Sequence, residues 1–238
     1  MELLKSASDV KAHFPQHKES ECRYCAGFLG EQGHVQEPWD TILYESDNFV
    51  VVPSLGAMIE GWLLVVTKNH YICMGAIPEH LWSELQHVLE HATKVITSKY
   101  AAPTLFEHGP ATEGLHVGCG IDHAHLHIVP LQFNLLESSK KSEELARCDW
   151  SKLDSMWPSL AQLHQSSESY IFIAEPHQTP FRATVSDAVP CQSLRRIIAR
   201  ELAIPAQYDY NYNNFRGNVE NTIRCVNVCF TDSKSFLD

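Results

Sequence analysis

Positive charge is the first thing this chain is short of. Its 238 residues hold 18 Lys and Arg against 29 Asp and Glu, a formal net charge of -11. Broad contact with a nucleic-acid backbone needs the opposite surplus, so no nucleic-acid partner is expected. A small anionic ligand stays open, because a few local donors decide its binding. Long apolar runs are missing too. The longest, at 49–53 and 62–66, are strand-sized and far short of the ~20 residues a bilayer demands, so no membrane association is expected. Residues 1–19 carry no apolar stretch of the signal-peptide kind, and a cytoplasmic location is the expectation. Internal repeats and low-complexity tracts are also lacking.

What the chain does have is thiols and imidazoles, 8 Cys and 14 His. A disulfide scaffold belongs to small secreted domains, and this chain is not small. Cytosolic thiols, some held by a metal, are the better reading. His80, His87 and His91 fall within a predicted helix on one exposed face and receive no function.

Segments 41–44 and 49–53 flank the turn Glu45-Ser46-Asp47-Asn48 and read as a hairpin. A third strand follows at 62–67, entered through Gly61. From Pro78 to about Tyr100, Leu81, Leu85, Val88, Leu89, Ala92, Val95 and Ile96 recur at helical spacing. Residues 104–107 read as a strand, and a Gly-rich loop over 109–120 leads into a strand at 124–131. Strands, one long helix and more strands make an α+β unit with an antiparallel sheet. The polar stretch 137–169 reads as a link or cover. Beyond it, strands are expected at 170–174 and 223–230 around a helix at 192–202, a C-terminal α/β extension. The expected division is an arm (1–39), a core (40–136), the polar linker (137–169) and the extension (170–238).

His123, His125 and His127 alternate with Ala124, Leu126 and Ile128. In a strand this period puts three imidazoles on one face and three apolar side chains on the other. Imidazoles make a poor core, since each needs a hydrogen-bond partner when buried. They make a good site, because neutral imidazole is a nucleophile, a proton carrier and a metal ligand. Cys22 and Cys25 have the C-x2-C spacing with which one tight turn offers two thiolates to a zinc; two ordinary thiols or a redox pair remain open.

The run His123-Ala124-His125-Leu126-His127-Ile128-Val129 resembles the signature of the histidine triad (HIT) family, and the likeness covers about residues 40–135. It implies an α+β fold with the triad on a central strand, a homodimer, and a hydrolase or transferase acting on nucleoside phosphates. By that likeness His125 attacks phosphorus to give a covalent nucleotidyl-histidine, and His127 hydrogen-bonds the phosphate or bridging oxygen. The substrates so implied are dinucleoside polyphosphates, nucleoside phosphoramidates or sugar nucleotides. A zinc-bearing branch, similar to galactose-1-phosphate uridylyltransferases, implies Cys22, Cys25, His70 and His123 as ligands of a structural zinc.

The same resemblance places Ser54, Glu107, Cys119 and Gly120 at substrate-binding positions, and Gly118 and Gly120 let backbone N–H groups approach phosphate oxygens closely. Gly120 stands where many members carry Ser or Thr, Cys119 where Gln is common, Ser54 where a ribose-binding Asp is usual, and Glu107 where an amide is frequent. These departures support a second reading, a catalytically weak nucleotide-binding or regulatory module. Arg195, Arg196 and Arg200 lie on the non-apolar side of the C-terminal helix. A solvated face is the plain expectation for them, and a cap that supplies substrate contacts is the other.

Overall fold

A computed structural model describes residues 22–28, 37–114, 121–186 and 188–232. Eight strands form one sheet: β1 (Tyr44–Glu45), β2 (Phe49–Pro53), β3 (Leu63–Thr67), β4 (Thr104–Gly109), β5 (His125–Val129), β6 (Trp150–Lys152), β7 (Tyr170–Ala174) and β8 (Phe181–Thr184). Their spatial order is β1-β2-β3-β5-β4-β7-β8-β6, and the neighbours pair antiparallel. Six helices accompany them among the described residues: α1 (Arg23–Phe28), α2 (Trp82–Lys99), α3 (Leu135–Lys141), α4 (Met156–Gln165), α5 (Ser193–Glu201) and α6 (Arg216–Asp232). The α+β class and the antiparallel sheet expected from the sequence are what the structure shows.

The central strands are buried on both faces, which is why β2 and β3 read as continuous apolar runs rather than as alternation. Phe49, Val51, Leu126 and Ile128 face a core sealed by α2, with Leu85, Val88, Leu89, Ala92, Val95 and Ile96 on its inner side. At about 1.5–3 kcal/mol for each large aliphatic side chain buried, this stripe holds the helix in place. Glu84 ties α2 to the β1–β2 turn by accepting from Ser46 Oγ at 2.6 Å and from Asn48 N at 2.7 Å. The opposite face carries two further clusters. One, with Trp62, Phe106 and Val129, is closed by α5; the other, with Val50, Val52, Leu64 and Val66, is closed by Cys22, Tyr24 and Cys25 on the N-terminal segment. The histidines of β5 lie on this face, between those two clusters.

Several segments differ from the expectation. Residues 223–230 are not a strand but part of α6, where Val219, Thr222, Val226 and Phe230 are buried at steps of three and four. Their β-branched content hides a helical period. Cys225 and Cys229 still share a face, through an i, i+4 step, and pack against the α2 core. The polar stretch 137–169 contains the rest of α3, then β6 and α4, with Trp157, Leu160 and Leu163 buried. Few apolar residues suffice there because only one side of each element is covered. His91 is not exposed like His80 and His87: its ring packs 4.8 Å from Tyr44 and 5.2 Å from Phe230. The C-terminal half also extends the sheet, since β7 pairs with β4 from Leu105↔Ala174 to Gly109↔Tyr170. Gly109 is needed at that crossing, for an added Cβ would lie 2.1 Å from Tyr170 Cζ.

Candidate active site and metal centre

The strand period does what the alternation requires. Ala124, Leu126 and Ile128 enter the α2 core, fully buried, and the imidazoles take the other face. All three are nearly buried as well, at 0% (His123), 7% (His125) and 3% (His127) exposure. Each therefore needs partners, and the partners define its tautomer.

His125 Nδ1 lies 2.6 Å from the backbone oxygen of His123. A carbonyl only accepts, so Nδ1 carries the proton and Nε2 keeps its lone pair. His127 is arranged the other way. Trp62 Nε1–H donates to His127 Nδ1 at 2.9 Å, which leaves the proton on Nε2. The His127 ring also stacks on Phe106, with centroids 4.4 Å apart and planes at 13°. Burial holds the His127 imidazole well below its usual range, helped by His125, Arg195 and His108 nearby. Burial lowers His125 too, opposed by its bond to the His123 carbonyl.

His123 is oriented by Thr67. Its Nε2 lies 2.7 Å from the Thr67 backbone oxygen and 3.1 Å from Thr67 Oγ1. The proton therefore sits on Nε2, and Nδ1 turns its lone pair toward the thiols. Cys22 Sγ is 3.4 Å and Cys25 Sγ 3.6 Å from that nitrogen, and Cys25 Sγ is 3.3 Å from His70 Nδ1. The four ligand atoms of Cys22, Cys25, His70 and His123 all lie within 4.8 Å of one another. Zinc bonds of about 2.3 Å to sulfur and ~2.05 Å to nitrogen give a tetrahedron an S···N edge of about 3.6 Å. The three S···N distances of 3.3, 3.4 and 3.6 Å are close to that edge, and a backbone carbonyl behind a ligating histidine is the usual outer support of such a site. The donor set thus fits a tetrahedral divalent ion. His70 Nε2, on the far side of its ring, faces Glu113 Oε1 at 3.6 Å.

A narrow cleft opens beside the triad, lined among others by Tyr24, Ser54, His125, His127, Arg195 and Tyr210. Ser54 is thus brought to the histidines. Glu107 is not. It lies on the opposite face of β4, where it accepts from Met74 N at 2.6 Å and from Tyr170 OH at 2.7 Å. Burial pushes its carboxyl up to about 7. Gly118, Cys119 and Gly120 lie outside the described residues.

Three contributors were not assigned to the site by the sequence: Trp62, Arg195 and His108. Trp62 reads as a strand apolar, yet its indole N–H selects the His127 tautomer. For Arg195 a solvated face is the plain expectation and a substrate-contacting cap the other; it is 1% exposed, with Nε donating to Tyr208 O at 2.9 Å and Nη2 to Gly56 O. Its guanidinium lies 4.9 Å from the Trp62 ring centroid. Arg200 does face solvent, in a bidentate pair with Glu144 at 2.7 Å, and Arg196 sits 3.8 Å over the Tyr208 ring. His108, behind the triad, meets Ser193 Oγ at 3.0 Å, and burial beside His125 pushes it down to about 3.

A family model described as "Scavenger mRNA decapping enzyme C-term binding" matches residues 34–143, under half of the chain. No curated protein matches. Among solved structures the chain is similar to a Hit-like protein involved in cell-cycle regulation from Bartonella henselae, at 11% identity and TM-score 0.39, covering 62% of this chain and 97% of that one. It is also similar to a Zn-bound histidine triad family protein from Mycobacterium smegmatis, at 16% identity and TM-score 0.39, over 63% and 94%. A third is a hypothetical histidine triad nucleotide-binding protein from Sulfolobus tokodaii, at 20% identity and TM-score 0.33, over 53% and 81%.

Proposed function

We propose that the chain is a histidine triad enzyme that cleaves or transfers a nucleoside phosphate through a covalent His125 adduct. One observation carries the reading: His125 and His127, neighbours on one strand face, hold opposite tautomers. The first offers an Nε2 lone pair and the second an Nε2–H, on imidazoles that line the same cleft. Phosphoryl-type transfer asks for little else than an in-line nucleophile and donors for the oxygens. The His125 Nε2–P bond forms as the P–O bond to the leaving group breaks. The ring is then an imidazolium whose Nδ1–H points at the His123 carbonyl, a charge-assisted contact that steadies the intermediate. Water or another acceptor attacks phosphorus next, its proton passes to solvent, and His125 departs as neutral imidazole. His127 Nε2–H donates to a phosphoryl or bridging oxygen throughout.

Cys22, Cys25, His70 and His123 would hold a zinc ion, as in the branch similar to galactose-1-phosphate uridylyltransferases. Four protein ligands leave no open position, so its role there is structural. It would join the N-terminal segment to the start of β5 and fix the His123 carbonyl that orients His125. The homodimer implied by the resemblance would use a surface other than the β4 edge, which β7 of the same chain fills.

The test is His125→Asn with an acid-sensitivity assay. Wild type given labelled nucleotides should yield a protein-bound label that survives alkali and is lost in acid, and the variant should yield none. Full turnover by the variant would sink the nucleophile. Nucleotide binding with neither adduct nor product across bases would favour the regulatory-module reading.

A further inference from the structure

The charge on the substrate has to be met by something. His127 is neutral by geometry, because its Nδ1 accepts from Trp62. A nucleophilic His125 is neutral by definition. Two thiolates, two imidazoles and a divalent ion sum to zero. Among the described residues that line the cleft, Arg195 is the one permanent cation. It reaches the cleft from α5, outside the segment that carries the triad resemblance. Two backbone carbonyls, Tyr208 O and Gly56 O, orient its guanidinium, and its face rests on Trp62. Trp62 is also the donor to His127, so Arg195 stands on the His127 side of the cleft, where a leaving group would depart.

The Trp62–His127 bond adds a chemical restriction. A histidine whose Nδ1 accepts from an indole N–H can share its Nε2 proton in a hydrogen bond. It cannot surrender that proton without becoming an imidazolate. An amine or alkoxide leaving group needs the proton; a phosphate departs as a stable anion and does not.

We propose that Arg195 binds the departing phosphoryl group, and that the substrates are therefore phosphoanhydrides (nucleoside di- or polyphosphates and nucleotide sugars) rather than phosphoramidates or simple phosphate esters. This rests on His125 as nucleophile. As the anhydride P–O bond breaks, its electron pair goes to the bridging oxygen, and the guanidinium takes up the charge as paired N–H···O contacts.

The experiment compares wild type, Arg195→Met and Arg195→Lys on a nucleoside 5′-diphosphate and on the 5′-phosphoramidate of the same nucleoside. Wild type should prefer the diphosphate. Loss of a charged hydrogen-bonding partner should lower kcat/KM for it on the order of 10- to 150-fold. Phosphoramidate turnover should change little, and Arg195→Lys, which keeps the charge, should fall between. An equal loss on both substrates, or a wild-type preference for the phosphoramidate, overturns the proposal. Should Arg195→Met not fold, the same substrate comparison on Arg195→Lys decides. Calorimetry with inorganic pyrophosphate separates the two readings. Binding that is lost in Arg195→Met, in a protein that turns nothing over, removes the nucleophile and keeps the Arg195 phosphate site. Binding equal in both proteins, or absent from wild type, removes that site.

Discussion

Replacing Glu107 by Gln separates a substrate contact from a structural carboxyl. The side chain is 2% exposed and lies across the sheet from the triad. Its two oxygens accept from Met74 N and Tyr170 OH, and burial raises its carboxyl from 4.5 to about 7. Below pH 4.5 the group is protonated in both the folded and the unfolded chain. Between 4.5 and 7 the unfolded chain releases its proton while the folded one keeps it. The unfolded state then binds fewer protons, so unfolding free energy falls as pH rises, and the loss is complete above 7. At 1.36 kcal/mol per pH unit, a rise from 4.5 to about 7 amounts to about 3 kcal/mol. Denaturant unfolding of wild type and Glu107→Gln at intervals from pH 4.5 to 8 isolates this group, because every other titration cancels in the difference. The variant should gain about 3 kcal/mol relative to wild type across that range, with turnover retained. Parallel stability curves would refute the burial argument. Unchanged stability with lost turnover would return Glu107 to the substrate.

Trp62→Phe strips the donor from His127 Nδ1 and leaves a buried acceptor unsatisfied, at a cost of about 1–3 kcal/mol; nitrogen NMR shifts of His127 should show mixed tautomers, and unmixed ones would exonerate the indole. Cys25→Ser and His70→Ala should each lower zinc content from one ion per chain and reduce the melting temperature, whereas unchanged metal analysis removes that ligand from the set. Gly56→Ala places a Cβ 2.5 Å from Tyr210 Cβ and 2.8 Å from Arg195 Nη2, at a φ of +70°. It should cost at least ~1–2 kcal/mol in chemical unfolding for the left-handed backbone alone, and pyrophosphate binding should weaken with it; wild-type stability would mean the 205–215 segment yields freely.

The two periods in the sequence were the reliable guides. The alternation over 123–128 placed three imidazoles on one face, and the 3.6-residue recurrence over Leu85 to Ile96 placed α2, because both patterns are set by backbone geometry. The C-x2-C pair and the separate His70 and His123 meet as the resemblance implied. Periodicity misleads at 223–230, where valine, isoleucine and cysteine at helical steps resemble a strand in composition but lie in α6. It was silent over 137–169, where each element buries only a few residues.

On its own, the sequence determined which atoms are available: three alternating imidazoles, two thiols one turn apart, and a net charge of -11. The tertiary structure decided their chemical state. A proton sits on Nδ1 of His125 and on Nε2 of His127 only because a backbone carbonyl meets one ring and the Trp62 indole the other. Arg195 becomes a buried cleft cation, and Glu107 a carboxyl raised to about 7, through contacts with residues 13 to 139 positions away. Tautomer, burial and charge are properties of neighbours, and neighbours distant in the chain leave no periodic trace along it.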